Sequence, residues 1–266
     1  MKTQKNYVLV TGGTSGIGLE LSKLFANDGY NLILVARSEA DLNSTAGELK
    51  QQYNVDIVTI SKDLFYPGNA FELYEEIKAQ NLEVEILVND AGQGVYGEFI
   101  ETDVNREINI INLNITSLVV LTKLFVKNMA DRGDGKVLNV ASIAGKLPGP
   151  LQSVYHGTKA FVLSFSEAIR NELKDKGVSV TALLPGATDT DFFNKADMLE
   201  SKIVQEGKLG SAEDVAKDGY KALMAGDDKI ISGFMNKVQV AMSNITPDET
   251  VANKMRKQQE PVTDKN

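Results

Sequence analysis

The stretch "YVLVTGGTSGIG", residues 7–18, joins a run of apolar residues to a glycine-rich turn. Gly12, Gly16 and Gly18 have the spacing G-x-x-x-G-x-G, and the pattern of the following residues predicts a helix over 16–28. A turn without side chains lets the backbone approach a pyrophosphate at the helix N-terminus, where free N–H groups and the helix dipole favour an anion. The alternative is a glycine turn of purely structural use, and a P-loop is disfavoured because no Lys follows the last glycine. The stretch therefore predicts a dinucleotide site.

Six short runs rich in Val, Ile and Leu begin at residues 7, 32, 56, 85, 136 and 178, with longer amphipathic segments between them. Uniformly apolar strands that alternate with helices are typical of a parallel sheet covered on both faces. We therefore predict an α/β fold, a single doubly wound (Rossmann-like) sheet with the strand order 3-2-1-4-5-6. Residues 1–246 are expected to form one dinucleotide-binding and catalytic domain, and residues 247–266 a polar, loosely held tail.

Composition narrows the classes of function. The chain has 266 residues, a formal net charge of −8, no Cys and one His. The acidic balance argues against binding to nucleic acid or to an anionic membrane. Because the chain has no Cys, it can form neither a disulfide nor a thiolate nucleophile. With His156 as the only His, it also lacks the ligands of a His- or Cys-coordinated zinc site, and we expect no metal. The apolar run at residues 115–126 is interrupted by Lys123 and predicts a buried helix, so we expect a cytoplasmic protein without a membrane span.

Two Tyr-x-x-x-Lys pairs compete as candidates for chemistry, and each has a Ser 13 residues before its Tyr. They are Ser61 with Tyr74 and Lys78, and Ser142 with Tyr155 and Lys159. The predicted strand order separates them, because Ser61 ends strand 3 on the adenine side and Ser142 ends strand 5 on the nicotinamide side. Tyr74 also belongs to an apolar stripe at helical spacing, which is typical of a core residue. The pair Tyr155 and Lys159 is therefore the predicted chemical pair.

Seven motifs occur in order between about Asn6 and about Gly233. They are "TGGTSGIG" at 11, "KDL" at 62, "NDAG" at 89, "NITS" at 114, "NVASIAG" at 139, "YHGTK" at 155 and "PGATDT" at 185. Together they resemble the short-chain dehydrogenase/reductase family. The resemblance implies an NAD(P)-dependent oxidoreductase that interconverts an alcohol and a carbonyl by hydride transfer. A dinucleotide-binding regulatory protein without turnover is the alternative, and a Ser-Lys hydrolase is disfavoured because it would leave the glycine turn without a purpose.

The same resemblance implies roles for individual residues. Ser142 would hold the substrate oxygen and Tyr155 would exchange the proton. Lys159 would lower the pKa of the Tyr155 phenol and bind the nicotinamide ribose, and Asn114 would position a water linking Lys159 to solvent. The chain departs from the family at Asp90, where a second Asn is usual.

The resemblance also implies the residues that bind the cofactor. They are Gly12, Thr14, Ser15, Gly16, Ile17, Gly18, Arg37, Asp63, Leu64, Asn89, Ala91, Gly92, Tyr155, Lys159, Pro185, Gly186, Thr188 and Thr190. We expect NADP, with NAD possible, because strand 2 ends in Ala36 and Arg37 where an NAD-binding sheet usually has a carboxylate. Arg37 can pair with a 2′-phosphate through two hydrogen bonds. The alternatives are a solvated surface charge or a stack on the adenine.

The substrate side is described only in outline by the sequence. The loops at residues 146–151 and 190–199 predict an apolar pocket for a small-molecule alcohol or carbonyl substrate. The apolar residues after "PGATDT" fit either a core or a lid. These residues are Phe192, Phe193, Met198, Leu199 and Ile203. His156 is expected near the pocket. The family resemblance and the long apolar helices expected at 101–129 and 152–176 predict a homodimer or homotetramer.

Overall fold

The computed structural model describes residues 7–262, and within them seven strands form one fully parallel sheet. The strands are β1 (Tyr7–Thr11), β2 (Asn31–Ala36), β3 (Ile57–Ser61), β4 (Val84–Asn89), β5 (Gly135–Val140), β6 (Val178–Leu184) and β7 (Lys229–Ile231). Their order is β3-β2-β1-β4-β5-β6-β7. The predicted α/β fold and the order of the first six strands are confirmed. The edge strand β7 was not predicted, because it has only three residues.

Helices connect the strands and cover both faces of the sheet. Within the described residues the α-helices are α1 (Gly16–Asn27), α2 (Glu39–Gln52), α3 (Pro67–Ala79), α4 (Val104–Ile111), α5 (Leu118–Arg132), α6 (Ser153–Leu173), α7 (Phe192–Lys195), α8 (Lys202–Gln205), α9 (Ala212–Ala225), α10 (Phe234–Ser243) and α11 (Asp248–Gln259). A π-helical segment, Asn112–Ser117, joins α4 to α5. The first helix predicted from the glycine turn is confirmed to within one residue.

Strand residues alternate between two apolar cores because successive side chains point to opposite faces of a sheet. On one face Val8 and Val10 of β1 pack with side chains of α1, α2 and α9. On the other face Leu9 and Leu87 pack with α3, α5 and α6. Tyr74 lies on this second face, where its ring packs edge-on against Phe125 with the two ring centroids 5.2 Å apart. The expectation that Tyr74 is a packing residue is thereby confirmed.

The stretch Val104–Arg132 is long and apolar enough to cross a membrane, judged by length and composition alone. In the fold, its apolar side chains Leu121, Phe125 and Met129 are buried against the sheet. Burial of each such side chain contributes about 1.5–3 kcal/mol to stability, which accounts for their spacing along one face of α5. The predicted buried helix is thus found where the sequence placed it.

The expectation of a loosely held tail is wrong for residues 248–259, which form the packed helix α11. Val251, Met255 and Gln259 lie on one face of this helix and are buried, and the first two pack with Leu147. The sequence pattern did not indicate this packing, because only one residue per helical turn is buried and most other positions of the helix are polar or charged. Residues 263–266 lie outside the described part of the chain.

Packing of α11 predicts slow amide exchange over residues 252–259. Replacement Val251→Asp should accelerate that exchange by about tenfold or more, because burial of a Val side chain is worth about 1.5–3 kcal/mol and a buried carboxylate has no partner there. Hydrogen exchange read by mass spectrometry measures the effect. The control Thr250→Asp changes an exposed neighbour and should leave the rates unaltered. Fast exchange of these amides in the unmodified protein would show that α11 is not packed.

Candidate active site

A cavity of about 750 Å³ opens where the carboxyl ends of the central strands meet. One wall is the glycine turn after β1, and the opposite wall is the loop 185–193 after β6. Between them lie Ser142 at the end of β5 and Tyr155 and Lys159 of α6. The structure therefore brings the second Tyr–Lys pair, and not Tyr74 with Lys78, to the cavity. This outcome is the one that the predicted strand order required.

The glycine turn is shaped for close approach of a ligand to the backbone. Gly12 and Gly16 have φ values of +74° and +54°, in the left-handed region that favours Gly. A Cβ on Gly18 would lie 2.4 Å from the carbonyl oxygen of Gly12. Ser15 precedes α1 and its hydroxyl makes no capping hydrogen bond to the helix. The N-terminus of α1 therefore presents backbone N–H groups to the cavity, as a pyrophosphate requires.

Tyr155 and Lys159 lie one turn apart on α6, beside Ser142. The Ser142 hydroxyl is within hydrogen-bonding reach of the Tyr155 phenol, and its Oγ also accepts a hydrogen bond from the Ala144 amide at 3.0 Å. The Lys159 ammonium is buried and donates to the carbonyl oxygen of Val140 at 2.8 Å. Its Nζ lies 5.8 Å from the centroid of the Tyr155 ring. This arrangement fixes a phenol, a hydroxyl and a positive charge at one end of the cavity.

The pKa of Tyr155 differs from the expectation. Burial, together with the nearby Asp90 carboxyl, raises the pKa of the Tyr155 phenol from 10.0 to about 12, although the contact with Ser142 lowers it. Burial also lowers the pKa of Lys159 from 10.5 to about 8, against the attraction of Asp90. In the protein alone the loss of hydration on burial therefore determines the direction of the shift in the pKa of Tyr155, and a lowering by Lys159 stays a prediction.

Asn114 ties three parts of the site together from the π-helical segment. Its Oδ1 accepts a hydrogen bond from the backbone N–H of Gln93 at 3.0 Å. Its Nδ2 donates to the backbone carbonyl of Gln93 and to Thr158 Oγ1, both at 2.9 Å. Both Asn114 Oδ1 and Lys159 Nζ would lie 3.4 Å from a Cβ on Gly92. The widened helical turn is what lets this side chain reach the loop after β4. Its role in positioning a water next to Lys159 stays a prediction.

The remaining predicted cofactor residues are divided between the cavity and its surroundings. Those that line the cavity are Ser15, Gly16, Ile17, Gly92, Tyr155, Lys159, Pro185, Gly186, Thr188 and Thr190. Gly12, Thr14 and Gly18 form the rest of the glycine turn, and Ala91 donates its amide to Thr11 Oγ1 at 3.2 Å beneath it. Arg37, Asp63 and Leu64 follow β2 and β3, on the predicted adenine side.

Asn89 does not line the cavity. Its side-chain amide is buried and donates to Thr122 Oγ1 at 3.0 Å and to Asn139 Oδ1 at 2.9 Å. Asn139 in turn donates to Ser166 Oγ of α6 at 2.9 Å. The Asn89 side chain therefore joins β4 and β5 to the helices behind them and supports the site from within the core.

The sequence analysis missed the part of the cavity wall that comes from the C-terminal region. Phe234, Met235 and Gln239 of α10 and Gln259 of α11 line the cavity, as does Gln152, the residue before α6. Only Gln152 was near enough to a motif to be found, being three residues before Tyr155. The others lie 44 or more residues after the last motif, which ends at Thr190, so no local pattern marks them.

The residues after "PGATDT" prove to be both core and lid. Phe193 and Met198 are buried in a small apolar cluster with Tyr96, whereas Leu199 is exposed. Phe192 lines the cavity with its ring centroid 5.0 Å from that of Tyr155. The segment therefore forms the cavity wall next to Tyr155, and its closure as a lid stays a prediction.

Asp90 stands beneath the glycine turn, where the family usually has Asn. It accepts a hydrogen bond from the Gly18 amide, and burial raises the pKa of its carboxyl from 3.8 to about 7, although Lys159 lowers it. The folded state thus retains a proton on Asp90 that the unfolded chain has lost. That stabilisation is complete below the unfolded pKa of 3.8 and is lost as the pH rises through about 7.

Replacement Asp90→Asn should remove this pH dependence, because Asn resembles the protonated carboxyl at every pH. Relative to the unmodified protein, the free energy of unfolding of the variant should rise by about 2 kcal/mol between about pH 5 and about pH 8. Urea unfolding of both proteins at several pH values measures this difference in the free energy of unfolding. The contributions of His156 and the surface carboxylates cancel, because both proteins have them. A difference that does not change with pH would contradict the assignment.

Comparison with known proteins agrees with this geometry. The model of the family described as short chain dehydrogenase matches residues 6–200. The very-long-chain 3-oxoacyl-CoA reductase of Mus musculus is 36% identical over 185 residues, which cover 67% of this chain and 58% of that protein. The human protein of the same name is 35% identical over 185 residues, which again cover 67% of this chain and 58% of that protein. The chain therefore spans about 58% of the length of these relatives.

Solved structures show the same fold over nearly the whole chain. A short-chain dehydrogenase from Sphingobium yanoikuyae in complex with NADPH is 26% identical, covers 90% of this chain and 94% of its own, and has a TM-score of 0.81. The bulky-bulky ketone specific alcohol dehydrogenase from Comamonas testosteroni is 26% identical, with coverages of 91% and 94% and a TM-score of 0.77. With the family model matched over residues 6–200, this chain belongs to the short-chain dehydrogenase family of oxidoreductases.

Proposed function

We propose that this protein is an NADP-dependent oxidoreductase that interconverts an alcohol and a carbonyl, with Tyr155 as the proton donor and acceptor. The observation that carries the proposal is the meeting of Ser142, Tyr155 and Lys159 in one cavity with the glycine turn. A nicotinamide cofactor, when bound there, supplies or accepts the hydride. The glycine turn fits its pyrophosphate, because the positive φ values of Gly12 and Gly16 and the close contact of Gly18 with the Gly12 carbonyl make a tight turn into the N-terminus of α1.

The residues of the chain supply the proton and hold the substrate. In the reductive direction Ser142 holds the carbonyl oxygen by a hydrogen bond, and Tyr155 transfers the proton of its hydroxyl to that oxygen. The ammonium of Lys159 stabilises the phenolate that remains. A phenol whose pKa is raised to about 12 keeps its proton at neutral pH, so the resting protein has the proton ready for reduction. In the opposite direction Tyr155 would accept the proton of the alcohol, with Ser142 holding the same oxygen.

The substrate proposal is a 3-oxoacyl thioester with an apolar chain. Two relatives named very-long-chain 3-oxoacyl-CoA reductase support it, although this chain spans about 58% of their length. The cavity beyond Tyr155 is lined by apolar side chains, among them Phe192, Met198 and Phe234. The alternative of a regulatory dinucleotide-binding protein is disfavoured, since such a protein has no need of an intact Ser142, Tyr155 and Lys159.

The preference for NADP rests on Arg37. The side chain is exposed after β2, and its guanidinium lies over the Phe65 ring at 5.2 Å from the centroid. This stack holds the guanidinium at the adenine side without using its hydrogen-bond donors, which leaves them available for a 2′-phosphate. The short-chain dehydrogenase from Sphingobium yanoikuyae, with NADPH bound, gives the same preference support by similarity.

Cytoplasmic localisation and a homodimer or homotetramer stay predictions. Val104 and Ile108 of α4 and Phe161 of α6 are exposed apolar side chains on the long helices from which association was predicted. Such exposure is what an interface between copies of the chain would cover.

Replacement Tyr155→Phe should abolish NADPH-dependent reduction of carbonyls, by about a thousandfold or more, while NADPH binding persists, because only the transferable proton is lost. Lys159→Ala should weaken both turnover and binding. A panel of ketones and 3-oxoacyl thioesters followed at the nicotinamide absorbance band measures turnover, and cofactor fluorescence measures binding. The control is Tyr74→Phe, whose hydroxyl bonds only to Asn128 among the described residues and which should keep activity within a few-fold. Full activity of Tyr155→Phe would refute the proposed role.

Replacement Arg37→Ala should weaken NADPH binding by about ten- to a hundredfold and leave NADH binding within about twofold, because a hydrogen-bonded charge pair is worth about 1.5–3 kcal/mol. Fluorescence titration of both reduced cofactors against the variant and the unmodified protein gives the comparison. Lys50→Ala, which removes an exposed positive charge from the neighbouring α2, is the matched control. Equal affinities for both cofactors in the unmodified protein would overturn the NADP assignment.

A further inference from the structure

A line of polar groups runs from the C-terminal helix to the cavity beside Tyr155. His156 Nδ1 lies 2.8 Å from the Leu147 carbonyl oxygen, and His156 Nε2 lies 3.2 Å from Gln259 Nε2. The same Gln259 Nε2 lies 3.5 Å from Gln152 Oε1. The His156, Gln259 and Gln152 side chains are all buried, with exposed fractions of 5%, 2% and 5%.

The chemistry of these contacts fixes the orientation of each group. A carbonyl oxygen only accepts, so His156 Nδ1 must carry the hydrogen that it donates to Leu147. Burial lowers the pKa of His156, so the ring is neutral and its Nε2 is an acceptor. Gln259 must then present its amide nitrogen to His156, and its second N–H points to Gln152 Oε1. Gln152 is thus oriented with its oxygen towards Gln259 and its amide nitrogen away from it.

The amide nitrogen of Gln152 is the end of this line, and among the described residues it has no hydrogen-bond partner although it is fully buried. It lies 3.1 Å from the position of a Cβ on Gly94, a position that is also 2.8 Å from Phe192 Cζ. Both Gln152 and Phe192 line the cavity, and the Phe192 ring packs on Tyr155. The donor therefore lies next to the Phe192 ring, in the wall of the cavity that Phe192 and Tyr155 also line.

A buried amide donor without a partner favours a ligand that brings an acceptor. Gln152 directly precedes α6 and Tyr155 lies in its first turn, and both side chains line the same cavity. In a 3-oxoacyl thioester the two carbonyl carbons are separated by one methylene, so the two oxygens can meet two donors on neighbouring side chains. A simple ketone of the same length has no second oxygen to place there.

We infer that Gln152 is a specificity-determining residue that donates its amide N–H to the thioester carbonyl oxygen of a 3-oxoacyl substrate. Gln259 is the positioning residue that orients it, while Ser142 and Tyr155 take the 3-oxo group. The inference rests on the proposed carbonyl reduction and adds the feature by which the same site would select a 1,3-dicarbonyl unit over an isolated ketone.

The backbone around Gln259 is anchored on both sides of the cavity, as a positioning role requires. Its carbonyl oxygen accepts a hydrogen bond from the Tyr96 hydroxyl. One turn earlier Arg256 pairs with Glu98 at 2.8 Å, and one residue later the Glu260 carbonyl accepts from the Lys202 amide at 2.9 Å. The end of the C-terminal helix thereby contacts both the loop after β4 and the start of α8, and the Gln259 side chain reaches His156 and Gln152.

The test compares two substrates in the full-length protein with NADPH. One is a medium-chain 3-oxoacyl thioester of N-acetylcysteamine, and the other is a methyl ketone of the same chain length. The selectivity, defined as kcat/KM for the thioester divided by kcat/KM for the ketone, should fall about ten- to a hundredfold in Gln152→Met, because a hydrogen bond to a buried donor is lost. Activity towards the ketone should fall by a much smaller factor than activity towards the thioester, and the circular dichroism spectrum and the affinity for NADPH show whether the variant is folded.

Gln259→Met should lower the same selectivity by a smaller factor, about three- to tenfold, because the Gln152 amide is then free to turn. This ratio is unaffected by a loss of stability alone, which would lower both activities together. Gln51→Met, an identical change at an exposed site on α2, is the matched control and should leave the ratio unchanged.

Equal losses for both substrates in Gln152→Met, or no preference for the thioester in the unmodified protein, would overturn the inference while leaving carbonyl reduction in place. If the unmodified protein oxidises NADPH with neither substrate nor any other carbonyl, the proposed function itself is overturned, and the role of Gln152 with it.

Discussion

The buried ammonium of Lys159 is the charge around which the site is arranged. It is held by the Val140 carbonyl at the end of β5 and faces Gly92, the residue that the Asn114 carboxamide keeps in place through Gln93. An isolated ammonium in such a position is costly, and the depressed pKa of Lys159 expresses that cost. The nearby Asp90 carboxyl offsets part of that cost by attracting the ammonium. Asp90 also accepts a hydrogen bond from the Gly18 amide, so it links Lys159 to the glycine turn.

Buried polar contacts in the core also fix the position of α6, the helix that carries Tyr155 and Lys159. Asn89, Asn139 and Ser166 form a buried chain of hydrogen bonds that links β4, β5 and α6. Because each partner has a fixed geometry, a shift of α6 along the sheet would break the contact between Asn139 and Ser166. The position of Tyr155 relative to Ser142 is therefore determined by polar contacts inside the core as well as by apolar packing. Side chains of α11 and of residues 192–198 form further parts of the cavity wall.

Much of the fold followed from the sequence, because its signals are local. Apolar runs predicted β1 to β6, and the strand order then distinguished Tyr155 from Tyr74. The features that escaped prediction depend on contacts between distant segments. The hydrogen bond between Gln152 and Gln259 joins residues 107 positions apart, and the packing of α11 rests on a stripe one residue wide. The raised pKa of Tyr155 likewise follows from burial, which residue spacing does not report.

Under the proposed function, Tyr155 keeps its proton in the protein alone and would release it near neutral pH only with oxidised NADP bound. The most direct measurement is the ultraviolet absorbance of tyrosinate between about pH 6 and about pH 10, recorded for the unmodified protein and for Tyr155→Phe, with and without oxidised NADP. We expect no ionisation assigned to Tyr155 in this range without the cofactor, and one ionisation in its presence that is missing in the variant. An identical titration with and without the cofactor would contradict the account.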